Sequence, residues 1–291
     1  MSSGGRLQSI DLDRPAAPLI HADIHAPDTP PIGTVLIAHG FMGYKDYGMI
    51  PRIGATVAEA GWAAVAFNFA HSGMSRDIAT FARPELFAES TWNRQVEDLA
   101  FIRHAVRDGR VPGTNPEGPL VLMGHSRGGT AVLLAAGRWS GPDASVPAPD
   151  GVVTLAAPAD ADRSTPEMHE AFMKQGCITV QSNRTGQSLR INRSFIDEIA
   201  ADQSGHDPVE CSASIGCPML LVHGEDDPTI PVSDLDRLAT ASEPNPGLRK
   251  LVISGGDHVM NVPNPLPDGD SSPQLDTFLK AVVGFLDTVS S

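Results

Sequence analysis

Gly124 and Gly128, each two positions from Ser126 in Gly124-His125-Ser126-Arg127-Gly128, constrain the fold of this chain more than any other feature. An apolar run, Pro119 to Met123, leads in, and a helical run, Thr130 to Trp139, leads out. Between a buried strand and a helix, such a pentapeptide reads as a turn so tight that only glycine fits beside the serine. The turn would lift the Ser126 hydroxyl above the end of a sheet. The five residues alone arise often by chance, so their weight comes from this context and from partners elsewhere in the chain.

A serine hydroxyl is a weak nucleophile near neutral pH, and it needs a base, an acid to orient that base, and donors for a developing oxyanion. Downstream, Met219-Leu220-Leu221-Val222-His223 is a short apolar run that ends in the acidic turn Gly224-Glu225-Asp226-Asp227-Pro228-Thr229-Ile230-Pro231. Leu251-Val252-Ile253 then runs into Ser254-Gly255-Gly256-Asp257-His258, which places His258 in a loop beyond a strand. The chain order is therefore Ser, Asp, His.

That order, with each member after a strand, resembles the α/β-hydrolase superfamily. The likeness spans most of the chain: His39-Gly40-Phe41 after the first strong strand, the turn at Ser126, Gly224 to Pro231, and His258. It implies a mostly parallel central sheet with helices on both faces and a small inserted cap. Matching Gly224-x-x-Asp227-x-x-Ile230-Pro231 to the family's G-x-x-D-x-x-V-P pattern favours Asp227 as the acid, with Asp226 as the alternative. The resemblance also implies oxyanion donors from the backbone N–H groups of Arg127 and Phe41. The Arg127 side chain reads as a solvated surface group.

Elements alternate in the βαβ manner of a mostly parallel sheet. Pro18 to His25 reads as an edge strand, antiparallel to the rest, preceded by a loose tail or a first strand. Thr34–Ala38 and Ala63–Phe69 read as buried strands around a helix from Tyr47 to Ala60 that Gly61 closes. In Trp92 to Arg107, apolar Val96, Leu99, Ile102 and Val106 recur at helical spacing. Gly151 to Ala157 is the strand after the serine helix, and Leu275 to Val289 a closing helix. His71, in the loop after the second of these strands, reads as structural.

Residues 1–157 and 218–291 form the hydrolase core in this reading, and 158–217, where the alternation breaks, the cap. Within the cap, Cys177–Gln181 and Ser188–Ile191 flank Asn183-Arg184-Thr185-Gly186 as a hairpin, and Ser194 to Ala201 is helical. A hairpin-plus-helix cap resembles those of serine esterases in the feruloyl and cinnamoyl esterase neighbourhood. Arg184, Arg190 and Arg193 have the fork geometry that receives a carboxylate, but a solvated hairpin face is the preferred reading. Met42, Met168, Phe172, Met173 and Met260 suit an acyl pocket, although core packing accounts for most of them.

Composition excludes several classes. A net charge of −14, with lysine only at positions 45, 174, 250 and 280, argues against nucleic acid as a partner. No apolar run approaches the roughly 20 residues of a membrane span. The stretch Met1 to Arg6 lacks the apolar region of a secretory signal, so the cytoplasm is the expected location. The three cysteines, Cys177, Cys211 and Cys217, have neither even number nor metal-ligand spacing, which points to unpaired thiols. No metal, phosphate or dinucleotide motif is present, so no cofactor is expected. Oligomeric state is left open.

The expected activity is carboxylic-ester hydrolysis, with Ser126 as nucleophile, His258 as base and Asp227 as acid. Amide, peptide or thioester cleavage on the same triad is the alternative. A non-catalytic binding protein on a hydrolase scaffold is a third reading. Dienelactone hydrolases are similar in core but carry a cysteine nucleophile, whereas position 126 is serine.

Overall fold

The computed structural model describes residues 5–142 and 144–290, so most of the stretch Met1 to Arg6, where no secretory signal was read, lies outside the described residues. Among the described residues, ten strands and nine α-helices follow one another. The strands are β1 (Arg6–Leu12), β2 (Ile20–Ala26), β3 (Thr34–Ala38), β4 (Ala63–Phe67), β5 (Leu120–His125), β6 (Gly151–Leu155), β7 (Cys177–Gln181), β8 (Ser188–Asn192), β9 (Met219–Gly224) and β10 (Leu248–Ile253). The helices are α1 (Ile50–Glu59), α2 (Pro84–Ala88), α3 (Trp92–Arg107), α4 (Arg127–Trp139), α5 (Pro166–Gln175), α6 (Ser194–Ala201), α7 (Pro208–Ala213), α8 (Val232–Ala241) and α9 (Pro273–Val289).

Eight strands form one sheet in the order β1-β2-β4-β3-β5-β6-β9-β10, and β7 pairs with β8 in a separate antiparallel hairpin. From β4 to β10 all neighbours are parallel, while β2 runs antiparallel to both β1 and β4. The fold is the α/β-hydrolase arrangement. The segment expected at the sheet edge, β2, is instead an interior strand. The edge is β1, whose mostly exposed residues hydrogen-bond on one side only.

Alternation along the parallel strands divides the interior in two. Leu120 and Leu122 of β5 face a core shared with Leu99, Ile102 and Val106 of α3 and with the apolar residues of α4. Val121 and Met123 face the opposite core, shared with Ile53 and Val57 of α1 and with Phe278, Val282 and Phe285 of α9. A strand covered on both faces must be apolar throughout, which is why β3, β4 and β5 carry no alternation of polar and apolar residues.

Helix α1 starts at Ile50, three residues later than the periodicity suggests, because Pro51 is suited to a first helical turn and not to an interior. Segment 158–217 contains the expected hairpin and α6, and also α5 and α7, which its sequence did not reveal. Helix α7 packs on α4, so the C-terminal part of the segment lies against the main body. No helix among the described residues is long and apolar enough to cross a membrane.

Candidate active site

Strand β5 ends in a strained turn. Ser126 has φ 55° and ψ −125°, a conformation a non-glycine residue adopts only when its surroundings impose it. Those surroundings are the two glycines. A Cβ on Gly124 would lie 2.2 Å from the Gly128 carbonyl oxygen, and one on Gly128 would lie 2.4 Å from that of Ala38. The Ser126 N–H donates to Leu155 O at 2.8 Å, which keeps the turn registered against β6. Arg127 opens α4, so its N–H has no acceptor one turn earlier. Gly40, beside Phe41, passes so close to the turn that its Cβ would meet Ser126 Cβ at 3.1 Å.

The loops that carry Asp227 and His258 are sewn together beyond β9 and β10. Glu225 N–H donates to Ile253 O and Asp226 N–H to Gly256 O, both at 2.9 Å. A side chain on Gly224 would strike the Gly256 carbonyl. This places the Asp227 carboxylate against His258: His258 Nδ1 donates to Asp227 Oδ2 at 2.7 Å. The neighbouring Asp226 is bound to this loop through its backbone, and it is Asp227 that meets the imidazole. Asp227 Oδ1 accepts from the N–H groups of Thr229 (2.7 Å) and Ile230 (2.9 Å), and His223 Nε2 lies 3.3 Å from Oδ2. Burial alone would raise the pKa of this enclosed carboxyl. Donation from His223, His258 and Ile230 overcomes burial and holds it far below the usual carboxylate range.

Three histidines not assigned to the site from the sequence hold its loops. His125 Nε2 donates to the His258 carbonyl at 2.8 Å and so ties the serine turn to the His258 loop. His39 donates from Nδ1 to Gly40 O (2.8 Å) and accepts Phe69 N–H at Nε2 (3.2 Å), joining the loops after β3 and β4. Carbonyl acceptors fix both tautomers. Burial pushes His125 down to about 3 and His39 to about 4. His223 donates from Nε2 to Ile230 O at 3.0 Å, with Asp227 as a second acceptor. All three lie inside the quoted motifs, but their roles depend on which loops meet. His71 is buried, as expected of a structural residue.

Ser126 and Arg127 open onto a cavity of roughly 270 Å³. Its wall comprises Phe41 and Trp92 from the main body, Met168 and Phe172 of α5, Ile178, Val180 and Ile191 of the hairpin, and Phe195 of α6. Of the suggested acyl-pocket residues, Met168 and Phe172 line it. Met42 packs on the core, Met260 is buried in the second core, and Met173 is exposed.

Two arginines, Arg127 and Arg184, depart from expectation. Arg127 does not project into solvent: its guanidinium carbon lies 4.3, 4.8 and 5.6 Å from the ring centroids of Trp92, Phe195 and Phe41. Arg184 is stacked on Tyr44 and Phe81 and donates to Ile78 O, so it fastens the hairpin turn to the body. Arg193 pairs with Asp197, and Arg190 is exposed. The three cysteines are free thiols. Among the described residues, no group of three His, Cys, Asp or Glu is arranged to hold a metal ion.

A family model described as serine aminopeptidase, S33, matches residues 29–209, more than half of the chain. The chain belongs to this family. The matched span includes the serine turn and stops before Asp227 and His258. Among solved structures, this S33 hydrolase is similar to the esterase domain of a Rhodothermus marinus protein (17% identity, covering 98% of this chain and 100% of that one, TM-score 0.64). It is also similar to Est1E from Butyrivibrio proteoclasticus (15%, 97% and 98%, TM-score 0.65), a protein also solved with ferulic acid bound. A dienelactone hydrolase from Anabaena variabilis shares the fold at 13% identity, with 98% of both chains covered and a TM-score of 0.59. No curated protein matches the chain in sequence.

Proposed function

We propose that this hydrolase cleaves carboxylic esters through an acyl-enzyme, with Ser126 as nucleophile, His258 as general base and Asp227 as its orienting acid. The bond from His258 Nδ1 to an ionised, fourfold-held Asp227 carries the reading. It commits the imidazole to the tautomer whose Nε2 is free to take a proton from a serine hydroxyl. Ser126 Oγ attacks the ester carbonyl as His258 Nε2 accepts its proton. The N–H groups of Arg127 and Phe41 receive the oxyanion, a contribution of roughly a hundredfold or more per donor. The imidazolium then protonates the departing alkoxide. Water, deprotonated by the same nitrogen, releases the acid.

Residues 158–217 act as the cap that sets acyl preference, because most of the cavity wall comes from them. The aromatic wall suits a short or aryl acyl group. Ser126→Ala is expected to abolish turnover of p-nitrophenyl acetate and butyrate while leaving the circular dichroism spectrum intact. Near-native turnover would refute the assignment.

Peptide hydrolysis is the second reading, since the family is named for an aminopeptidase. An aminopeptidase needs an anionic group for the substrate's terminal ammonium. Asp160, the one carboxylate among the described residues of the wall, is engaged by both terminal nitrogens of Arg237 at 2.6 and 2.8 Å. An amino-acid p-nitroanilide compared with the matched p-nitrophenyl ester distinguishes the two, and faster anilide cleavage would favour the peptidase.

A further inference from the structure

We propose that the Arg127 side chain determines specificity in this cavity by receiving a carboxylate on the substrate, a role that rests on the reading of Ser126 as the nucleophile. The charges around the cavity lead to this. Two other charged residues line the wall, and both are matched: Asp160 by Arg237, and Arg163 by Asp234 at 3.2 Å. Arg127 forms no ion pair among the described residues. Its Nε reaches Gln95 Oε1 at a long 3.4 Å, and its Nη2 is closed off from water without an acceptor.

The three rings around its guanidinium, Trp92, Phe195 and Phe41, all line the cavity that Ser126 opens onto, so the cation sits in the wall beside the nucleophile. Stacking on aromatic faces compensates a desolvated cation only in part, whereas a buried charge without a counter-ion is costly. Burial accordingly pushes Arg127 down to about 10, with only Glu198, beyond ion-pair distance, acting to raise it. Glu198 itself is held by the Asn93 N–H and His206. This guanidinium, held by aromatic faces, has no in-plane anion among the described residues, and a carboxylate that enters from the cavity supplies one and matches its fork. The substrate class is thus an ester that also carries a free carboxylate, on either its acyl or its alcohol side.

The test separates binding from turnover. Ser126→Ala protein is titrated calorimetrically with monoethyl glutarate (carboxylate on the acyl side) and with acetoxyacetate (carboxylate on the alcohol side), each against its carboxamide counterpart. The expected result is at least tenfold tighter binding of the acid in one arm. That preference should collapse in Ser126→Ala/Arg127→Met and survive in part in Ser126→Ala/Arg127→Lys. Equal binding of acid and amide in both arms, or a preference that Arg127→Met leaves unchanged, overturns the proposal. Should Arg127→Met fail to fold, wild-type protein titrated with glutarate and glutaramide decides the same question without a substitution at position 127: tighter binding of glutarate supports the proposal, and equal binding overturns it. Hydrolysis of the two esters by wild-type protein reports on the esterase reading alone. If hydrolysis is absent while the acid preference persists, that reading fails and the carboxylate site stands.

Discussion

At the scale of single residues, the proposed triad depends on keeping one carboxylate charged in a place water does not reach. Asp227 accepts two backbone N–H groups on one oxygen and two imidazoles on the other. Replacing it with asparagine would set an amide against His258 and favour the wrong imidazole tautomer. Asp227→Asn is expected to lower kcat by about four orders of magnitude, measured with a p-nitrophenyl ester and compared with Ser126→Ala. A loss below tenfold would remove Asp227 from the mechanism. The Asp227–His258 pair and the strained turn at Ser126 were legible because each follows an apolar run in a motif with its own spacing. The Arg127 side chain was not. Its surroundings come from Phe41, Trp92 and Phe195, on three separate segments, and no local pattern announces that such segments will enclose a cation.

Among the elements, the turn between β5 and α4 has the least tolerance. Gly128→Ala would drive a methyl group to 2.4 Å from the Ala38 carbonyl oxygen and 2.5 Å from that of His39, and backbone atoms leave little room to yield. A cost of about 3 kcal/mol is expected, which for a chain of this size lowers Tm by roughly 5–10 °C. An unchanged Tm would mean that β3 can retreat from the turn. The helix Trp92–Arg107 and the strand Thr34–Ala38 were readable to the residue, since Thr91 caps the first and continuous burial marks the second. The sheet position of β2 was not readable. Its seven residues look the same whether one neighbour or two lie beside them, and the second neighbour, β4, comes much later in the chain.

Over the whole molecule, buried neutral histidines link folding to pH. Burial pushes His39 and His71 to about 4 and His125 to about 3. Because the unfolded chain takes up these protons near pH 6.5 and the folded one does not, stability is full above that pH and is lost as pH falls towards 4. For His39 alone the difference is about 3 kcal/mol. Asp98, pushed up to about 6 by burial, works in the opposite sense: its contribution is complete below about pH 4 and fades as pH rises through 6. Burial also lowers the pKa of His25 and raises that of Asp46, so four groups against two leave the balance towards neutral pH. Calorimetric scans should show Tm falling between pH 7 and 4.5, and less steeply in His125→Gln. A flat profile would contradict the buried neutral state of these rings.

Strand β5 lies inside the sheet, hydrogen-bonded to β3 on one side and β6 on the other, with apolar layers above and below. Strand β1, by contrast, has a single neighbour. Isotope exchange should therefore run inward from the rim. Amides of β1 should exchange by local opening, and those of Leu122 and Met123 only when the entire domain unfolds. The proposed nucleophile is then mounted on the last segment to come apart, so β1 could fray repeatedly without Ser126 losing its place.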